Sequence, residues 1–579
     1  MSKTPNYDAK VKAILDAAKP GDKICALTGE KWNMTAEELG WYKHFNVPPS
    51  KYHPHTRMWL MTAFWTSFQW WWQRHPETGK PILTYIHPAT GLKVLPDREW
   101  EQKEFLSVGK PVDLSRSILD QLREQQLRVP LSTDNHAKIP EKSIAIFSQG
   151  DVESYFVAFC RSKNSLYGVW GFDVEDSSEI WDASSIQKSY AVGHAHRIYQ
   201  CESVRESFDC MNSSFLFDCR NCEFCFGATN KRNRKYLWFN EQLTEAEWKR
   251  RRAEVDFRCR STYEMYKKKF EKLLEEQAVW PENFNEQTEN SSGEYLNRVT
   301  NMKFSYLSMD GPHDCYWTGG AVGDAHDNAF CCGTFNASEC YYTANADRSL
   351  HIFYSHNCAT SQNLEYSMQC RNCEDCFGCA GLNHKRFCIF NVQYTEVEYW
   401  QKLDEIKCAM LDRGEYGEFL PTKMAPVYFS DSGAIVYYGA DSAVGKKFGA
   451  LDFDPESAGA IGEDLSDASK LRQVSEVPDC IDQVGDEWAG VPLYDPNKKR
   501  RFAYLRPELE FYRSHKIGAP QQHFISRVHE LALSSNSGIY TDVNCAKCAA
   551  KIMTSVNPRY PKRNVYCRAC YLNYLEQHG

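Results

Sequence analysis

Three consecutive segments, SSEIWDASSIQK (177–188), SYAVGHAHRIYQ (189–200) and CESVRESFDCMN (201–212), share one pattern twelve residues long. In each segment the first, fourth, seventh and tenth residues are small or apolar, as in Ser177, Ile180, Ala183 and Ile186. An α-helix turns every 3.6 residues and cannot keep every third residue on one face. Stacked coils can, because each coil places similar side chains over those of its neighbour. The pattern predicts a short parallel β-solenoid with a narrow interior.

The solenoid pattern occurs twice in the chain. CRNCEFCFG (219–227) returns as CRNCEDCFG (370–378), and YLWFNEQLTEAEW (236–248) returns as FCIFNVQYTEVEY (387–399). We therefore predict one copy at residues 140–285 and another at 290–412. Thr244 with Glu247, and Thr395 with Glu398, fit capping boxes that begin helices after each copy. The period alone leaves open whether one twelve-residue segment or two close a coil.

The two ends of the chain form a second duplication, with an offset of 470 residues. Glu38, Tyr42, His53 and Arg57 correspond to Glu508, Tyr512, His523 and Arg527. We predict related modules at residues 1–110 and 501–579, with an irregular connecting domain at 413–500. The predicted fold class is multidomain, mainly β with α: two duplicated solenoid units with helical caps, flanked by the two end modules.

The C-terminal module contains NCAKCAAKIMTSVNPRYPKRNVYCRACY (544–571), two CxxC pairs with 18 residues between them. Two such pairs build a tetrahedral Zn²⁺ site, and four protein ligands make it structural rather than catalytic. The predicted ligands are Cys545, Cys548, Cys567 and Cys570.

In the N-terminal module the same offset places other residues at these four positions: His75, Thr78, Asp97 and Trp100. We expect this module to be a degenerate zinc ribbon that relies on packing. A residual metal site at Cys25, His53 and His55 is the alternative.

The central copies contain further cysteines with metal-like spacing. Taken alone, they are typical of iron–sulfur or zinc ligands. They also occupy inward positions of the twelve-residue pattern, which favours thiols that fill a small interior. These residues are Cys219, Cys222, Cys225, Cys370, Cys373, Cys376 and Cys379.

Basic clusters and one aromatic run are candidate nucleic-acid contacts. Four adjacent cations can neutralise several phosphates, although charge runs more often form solvated faces. The aromatic run FWTSFQWWW (64–72) is either a buried helix face or a base-stacking platform. The basic residues are Lys231, Arg232, Arg234, Lys235, Lys249, Arg250, Arg251, Arg252, Lys498, Lys499, Arg500 and Arg501.

Composition limits the classes of function. The net charge of −8 argues against wholesale coating of nucleic acid, so such binding would be local. The N-terminus lacks the apolar core of a secretory signal and no long apolar stretch occurs, so we expect a cytoplasmic protein with reduced thiols. No phosphate-binding glycine loop, nucleophile elbow or HExxH pair is found. Carboxylates at Asp173, Asp182, Asp209 and Asp218 leave an enzyme as the competing class.

Several of these motifs resemble those of one group of proteins. The pattern EL-x-FY (508–512), then a His and an Arg, then CxxC, TSVNP and YCxxCY is similar to zinc-ribbon modules in uncharacterised cysteine-rich repeat proteins of candidate-phyla bacteria. The stretch 370–395 resembles the central repeat of the same group. The resemblance implies an architecture and no activity. His75 and Thr78 depart from it.

The sequence favours a non-enzymatic binding scaffold with a macromolecular partner, and RNA, DNA or a ribonucleoprotein is the first partner to test. The motivating features are the four-cysteine motif and the basic clusters. Parallel β-helices also host enzymes that act on polymers, which is the alternative. A self-assembling structural protein is a third reading, because duplicated end modules could pair between chains.

Overall fold

The computed structural model describes residues 2–66, 68–452 and 471–579. These residues form two compact units. The first unit contains residues 2–66, 68–133, 283–452 and 537–540, and so combines the N-terminal module with the second central copy. The second unit contains residues 134–282, 471–536 and 541–579, which combines the first central copy with the C-terminal module. The segment 413–500 contributes to both units, and its residues 453–470 lie outside the described residues.

Helices lie mainly in the end modules and directly after the two central copies. Thr244 accepts the amide of Glu247 at the start of one such helix, and Thr395 and Glu398 form a full capping box at another. The helices are α1 Pro5–Ala17, α2 Ala36–His44, α3 Pro54–Thr62, α4 Asp97–Gln102, α5 Ile118–Arg128, α6 Glu245–Ala253, α7 Arg260–Gln277, α8 Glu396–Arg413, α9 Gly433–Val436, α10 Ser442–Lys447, α11 Arg506–His515, α12 Phe524–Ser534 and α13 Arg568–His578.

Each central copy forms one large sheet that is parallel except for the final hairpin. In the second unit the strands are Ile144–Ile146, Tyr155–Ala158, Arg161–Lys163, Leu166–Glu175, Ser178–Gln187, Tyr190–Tyr199, Glu202–Arg205, Phe208–Met211, Ser214–Phe217, Phe226–Thr229, Leu237–Trp238 and Glu241–Gln242. In the first unit they are Glu286–Glu289, Gly293–Lys303, Ser305–Met309, His313–Gly319, Ala329–Phe335, Tyr341–Asp347, Leu350–Phe353, His356–Ala359, Gln362–Glu365, Glu374–Phe377, Arg386–Ile389 and Val392–Gln393.

Short strands complete the end modules. They are Gly21–Ile24, Lys31–Met34, Trp71–Arg74, Pro81–Thr84, Val94–Leu95, Leu131–Ser132, Val279–Pro281, Arg472–Gln473, Leu493–Asp495, Arg500–Phe502, Tyr540–Asn544, Lys551–Ser555 and Asn564–Tyr566. The protein is thus mainly β with helices, as the sequence predicts.

The strand register shows how many residues make one layer of the sheet. Ser178 pairs with Tyr190, and Tyr190 pairs with Glu202, so neighbouring strands lie twelve residues apart. In the first unit the step is thirteen between Tyr316 and Ala329, and returns to twelve between Ala329 and Tyr341. Neighbouring strands of each sheet are therefore separated by twelve residues along most of the copy.

Every third residue of these copies has a left-handed backbone conformation. Within one layer, the φ angles of Glu179, Asp182, Ser185 and Lys188 lie between 44° and 60°. Each of these corner residues directly precedes a residue of the inward pattern. Positive φ is uncommon for residues other than glycine, and Asn and Asp tolerate it best. Corner positions accordingly often hold Asn or Asp: Asp173, Asp176, Asp182, Asp209, Asn212, Asp218, Asn221, Asn230 and Asn233.

The inward serines satisfy backbone groups as well as filling space. The hydroxyl of Ser177 donates to the carbonyl of Glu175 over 2.8 Å and accepts the amide of Ser189 over 3.1 Å. Ser189 repeats the arrangement with Gln187 and the amide of Cys201. Because buried backbone groups need partners, a short hydroxyl at this position stabilises two successive layers.

A buried arginine joins each end module to the central copy of its own unit. In the first unit the guanidinium of Arg57 donates to Tyr42 over 2.9 Å and to Tyr341 over 2.7 Å, and lies 3.7 Å from the carboxylate of Glu38. Arg57 and Glu38 are almost completely buried. The charges are therefore paired inside the unit, where an unpaired charge would be costly.

The second unit repeats this contact with the residues predicted by the 470-residue offset. Arg527 donates to Tyr512 over 2.6 Å and to Glu508 over 3.1 Å. It also donates over 2.5 Å to Glu179, which lies on the first central copy. The duplication thus preserves the buried arginine contact between end module and central copy in both units.

One expectation about the cysteines is wrong. Cys259 and Cys480 form a disulfide that joins residues 221 positions apart in the second unit. Arg258 and Ile481 share a backbone hydrogen bond beside it, so the two strands of chain meet at this point. The other cysteines are free thiols, as expected.

Replacing an inward serine should destabilise the fold much more than replacing its outward neighbour. Ser189→Leu removes two hydrogen bonds and overfills the interior, which together should cost about 2–6 kcal/mol. Gln187→Leu, at an exposed position two residues earlier, should change stability by less than about 0.5 kcal/mol. Urea unfolding of the full chain, followed by circular dichroism, measures both. Equal midpoints for the two variants would contradict the inward assignment.

Candidate metal centre and binding surfaces

The four predicted cysteine ligands meet at one point of the C-terminal module. The sulfur atoms of Cys545, Cys548, Cys567 and Cys570 all lie within 4.8 Å of one another. Cys545 is buried and Cys548 is exposed, so the group lies at the surface. Four thiols at this spacing can hold one metal ion with no position left open for a substrate.

A tight hairpin and a helix start position these thiols. The amide of Cys545 donates to the carbonyl of Ala550, and the amide of Ala549 donates back to the carbonyl of Cys545. Cys567 lies at the start of α13, and its amide donates to the sulfur of Cys545 over 3.3 Å. Burial opposes ionisation of Cys545, but the amides of Cys567, Cys548 and Lys547 outweigh it and lower the pKa to about 6. Cys545 thus favours the thiolate, the form that binds metal, while hydrogen bonds with the neighbouring thiols of Cys567 and Cys548 raise the pKa of Cys570 to about 12.

The corresponding hairpin of the N-terminal module has the same backbone hydrogen bonds and no thiols. The amide of His75 donates to the carbonyl of Lys80, and Nδ1 of His75 accepts the amides of Glu77 and Thr78. Nε2 of His75 lies 2.8 Å from Glu99. Hydrogen bonds therefore occupy His75 on both ring nitrogens.

The other two residues at the equivalent positions are also engaged. Asp97 accepts a hydrogen bond from the hydroxyl of Ser132, and the buried indole of Trp100 donates to the carbonyl of Pro130 over 3.0 Å. Packing and hydrogen bonding thus take the place that thiols have in the other module.

Each end module contains one more hairpin of this kind, which the sequence analysis missed. In the N-terminal module the amide of Cys25 donates to the carbonyl of Glu30. At the position 470 residues later, Asp495 accepts the amides of Asn497 and Lys498 with one carboxylate oxygen, and the amide of His523 with the other. The 470-residue offset could have found this pair, because it aligns Cys25 with Asp495.

The predicted residual site at Cys25, His53 and His55 is right in its two histidines and wrong in Cys25, whose place Glu30 takes. Ligand atoms of Glu30, His53 and His55 lie within 4.8 Å of one another, and Cys25 is not part of this group. The thiol of Cys25 instead contacts Thr56. Burial, with a smaller contribution from the neighbouring His53, lowers the pKa of His55 to about 3, so its imidazole is neutral at pH 7.

The central cysteines lie on the inward columns. The thiol of Cys222 points to the backbone carbonyls of Arg220 and Lys231, and that of Cys373 to those of Arg371 and Leu382. All seven are buried: Cys219, Cys222, Cys225, Cys370, Cys373, Cys376 and Cys379. In the described chain they form no group of three or more with all sulfur atoms within 4.8 Å.

Most of the basic clusters face carboxylates. Ion pairs link Lys235 to Glu223, Lys249 to Glu245, Arg250 and Arg251 to Glu247, and Arg232 to Asp218, at distances from 2.6 to 2.9 Å. Lys231 and Arg234 donate to carbonyls of His578 and Gly579, and Arg252 lies 5.2 Å from the ring of Phe257.

The remaining cations belong to a hairpin. Lys498 and Lys499 lie in the turn between the strands Leu493–Asp495 and Arg500–Phe502, and the latter strand contains Arg500 and Arg501. Arg500 is buried.

The predicted aromatic run and the aspartates do not form open platforms. In the run, Phe64, Trp65, Phe68, Trp70 and Trp71 are buried and Trp72 is 39% exposed. The run follows α3 and enters a strand, so the helical alternative is wrong. The four aspartates are each paired, and do not cluster: Asp173 with Arg161, Asp182 with His194, Asp209 with Arg197 and Asp218 with Arg232.

A groove in the first unit was not predicted. It has a volume of about 380 Å³ and lies between the outward face of the second central copy and helices α2 and α8. Phe45 and Phe353 pack edge to face at 5.5 Å on one wall, and Trp400 lines another. Nε2 of His44 lies 2.7 Å from Glu339 within it. Aromatic rings share its lining with polar and charged side chains, among them Lys3, His351 and Asn363. A cavity of this size with both kinds of group can bind a partner through apolar and polar contacts together.

The sequence itself has no matching relatives in two comparisons. No protein-family model matches the chain, and no curated protein matches it. In the described part of the chain, every helix is too short or too polar to span a lipid bilayer.

Of all the cysteines, only the four C-terminal ones should affect how much metal the protein binds. Cys570→Ser should lower the zinc retained after saturation and desalting by one ion per chain, because it removes one of four ligands. Cys408→Ser, a partly buried thiol outside any cluster, should leave the content unchanged. Elemental analysis measures both. Loss of the same ion in Cys222→Ser or Cys373→Ser would assign the metal to the central copies instead.

Proposed function

We propose that this protein is a non-enzymatic binding scaffold that holds a protein segment in the groove between the second central copy and helices α2 and α8. The observation that carries the proposal is the groove itself, in which aromatic rings lie beside polar and charged side chains that could bond a peptide backbone. The indole nitrogen of Trp400 is buried there without a hydrogen-bond partner in the described chain.

We infer that each central copy is a parallel β-solenoid with four-sided coils of twelve residues. Support comes from the register of twelve between strands and from four left-handed corners in each layer. Such a stack is rigid, because its interior is filled and each layer is hydrogen-bonded to the next. A rigid face is suited to present fixed contacts to a partner.

We also infer that the C-terminal module is a zinc ribbon with a structural role. The four-thiol group and the amide donors to Cys545 support this, because zinc prefers tetrahedral thiolate sites. The strand Asn564–Tyr566 that leads into the site pairs with Val279–Pro281, so the metal would fix the module beside the first central copy. The proposed zinc stabilises the scaffold and takes no part in a reaction.

A nucleic-acid partner is the less favoured proposal. In the clusters at 231–235 and 249–252, five of the eight basic residues are paired with carboxylates, which leaves few cations there to neutralise phosphates. Polymer-acting enzymes of similar architecture need clustered carboxylates. In the groove, Glu339 is paired with His44 and Glu365 with Lys407, which favours binding over catalysis.

Photo-crosslinking can locate the partner. Benzoylphenylalanine at position 351, on the outward face that lines the groove, should crosslink a protein in an extract of the native host. The same amino acid in place of Tyr199, which is 37% exposed on the other central copy, is the matched control and should give no such product. Trp400→Ala, which removes an aromatic ring from the groove lining, should lower the yield several-fold. Equal crosslinking from both positions would contradict a groove-bound partner.

Nucleic-acid binding should be weak and nearly independent of salt. The paired basic clusters would release few counterions, so filter-binding titrations with single- and double-stranded RNA and DNA should give similar affinities at 50 and 200 mM salt, against roughly a thousandfold loss for six phosphate contacts. The variant Arg250→Glu/Arg251→Glu should bind like the parent chain. A steep loss of affinity with salt that this variant abolishes would make nucleic acid the partner.

A further inference from the structure

Glu30, His53 and His55 form the one group of mixed nitrogen and oxygen ligands among the described residues whose ligand atoms all lie within 4.8 Å. We propose that these three residues bind a divalent transition-metal ion, at a site separate from the four C-terminal thiols. Two imidazoles and one carboxylate suit iron(II), cobalt(II), nickel(II) or zinc, and leave coordination positions open. The site belongs entirely to the N-terminal module of the first unit.

The local fold holds the two histidines in place. His53 lies at the start of α3, and its Nδ1 accepts the amide of His55 over 3.0 Å. That bond orients the ring of His53 and leaves Nε2 as the ligand atom, 3.8 Å from the carboxylate of Glu30. The ring of His55 is held against Trp317 at 5.2 Å. Pre-positioned ligands of this kind lose little entropy when a metal binds.

Glu30 comes from the other side of the site. Its backbone carbonyl accepts the amide of Cys25, which fixes the hairpin between Gly21–Ile24 and Lys31–Met34. The carboxylate is about half exposed, whereas the side chain of His53 is 12% exposed. The arrangement therefore has two held nitrogen ligands on the protein side and one adaptable oxygen ligand on the solvent side. An ion bound there would keep access to water or to a small ligand.

The C-terminal module provides an internal comparison. At the 470-residue offset, His523 corresponds to His53, but Arg500 stands opposite Glu30 and Ile525 opposite His55. A cation and an aliphatic side chain cannot bind a metal ion, and the acceptor Asp495 bonds the amide of His523. The shared histidine caps a helix in both modules. The two added ligands are specific to the N-terminal copy, so capping alone does not account for them.

Cobalt(II) titration of the full chain loaded with one equivalent of zinc, which the four thiolates bind first, tests the proposal. The parent protein should take up one further Co²⁺ with the weak visible absorption of nitrogen and oxygen ligands, and without the intense sulfur-to-cobalt band of a thiolate site. Glu30→Gln should weaken this binding at least tenfold, and His55→Gln should abolish it. Neither variant alters a helix cap, and circular dichroism checks that both stay folded.

Glu37→Gln is the matched control, because Glu37 is an exposed carboxylate of the same module outside the site. It should bind Co²⁺ like the parent chain. The proposal is overturned if the parent chain loaded with one equivalent of zinc takes up no further Co²⁺, or if Glu30→Gln and His55→Gln bind it as tightly as Glu37→Gln. The outcome is independent of the groove and of its partner.

Discussion

Each twelve-residue repeat of the central copies contains four left-handed backbone positions, and this constraint governs the rest of the structure. A turn every three residues places the corner residue in the left-handed region and directs the next side chain inward. The enclosed space is then narrow, so the inward residue must be small or a single aliphatic side chain. It must also satisfy backbone groups, as the hydroxyl of Ser177 does for Glu175 and Ser189.

The same constraint accounts for the unusual cysteine content. A thiol is close to serine in shape, is more apolar, and makes weak contacts with the same carbonyls, as Cys222 does with Arg220. Many layers can therefore use Ser or Cys at equivalent positions. Metal-like spacing in the central copies follows from the three-residue turn, which puts consecutive inward thiols three residues apart.

The sequence revealed features that depend on periodicity or on short-range spacing. The inward columns follow from the period of twelve, the helix caps from Thr395 with Glu398, and the thiol group from its two CxxC pairs. Contacts between segments that are far apart in the sequence could not be predicted from periodicity or short-range spacing. Two such contacts are the disulfide between Cys259 and Cys480 and the approach of Glu30 to His53. Both arise from tertiary folding, which the residue pattern within one segment does not predict.

The corner conformation was missed for a different reason. Asn and Asp at every third position are a visible signal, but Glu179, Ser185 and Lys188 occupy corners without any local preference for positive φ. These residues adopt it because the layers above and below fix the turn, so tertiary hydrogen bonding overrides local preference. The signal is visible only when the twelve-residue repeats are aligned, because the left-handed residue is the one that precedes each inward position.

Four tight hairpins, two in each unit, share one requirement at the first position of the turn. Cys545 receives backbone amides at its sulfur, His75 at Nδ1 and Asp495 at its carboxylate, so the shared element is an acceptor at the first position of the turn. The amides of a tight turn need a partner whether or not a metal is present. Once a side-chain oxygen or nitrogen accepts these amides, the other positions that hold thiols in the C-terminal module can carry different residues. Trp100 fills one of them with a packed ring, while beside Cys25 the neighbouring Glu30, His53 and His55 are brought together instead.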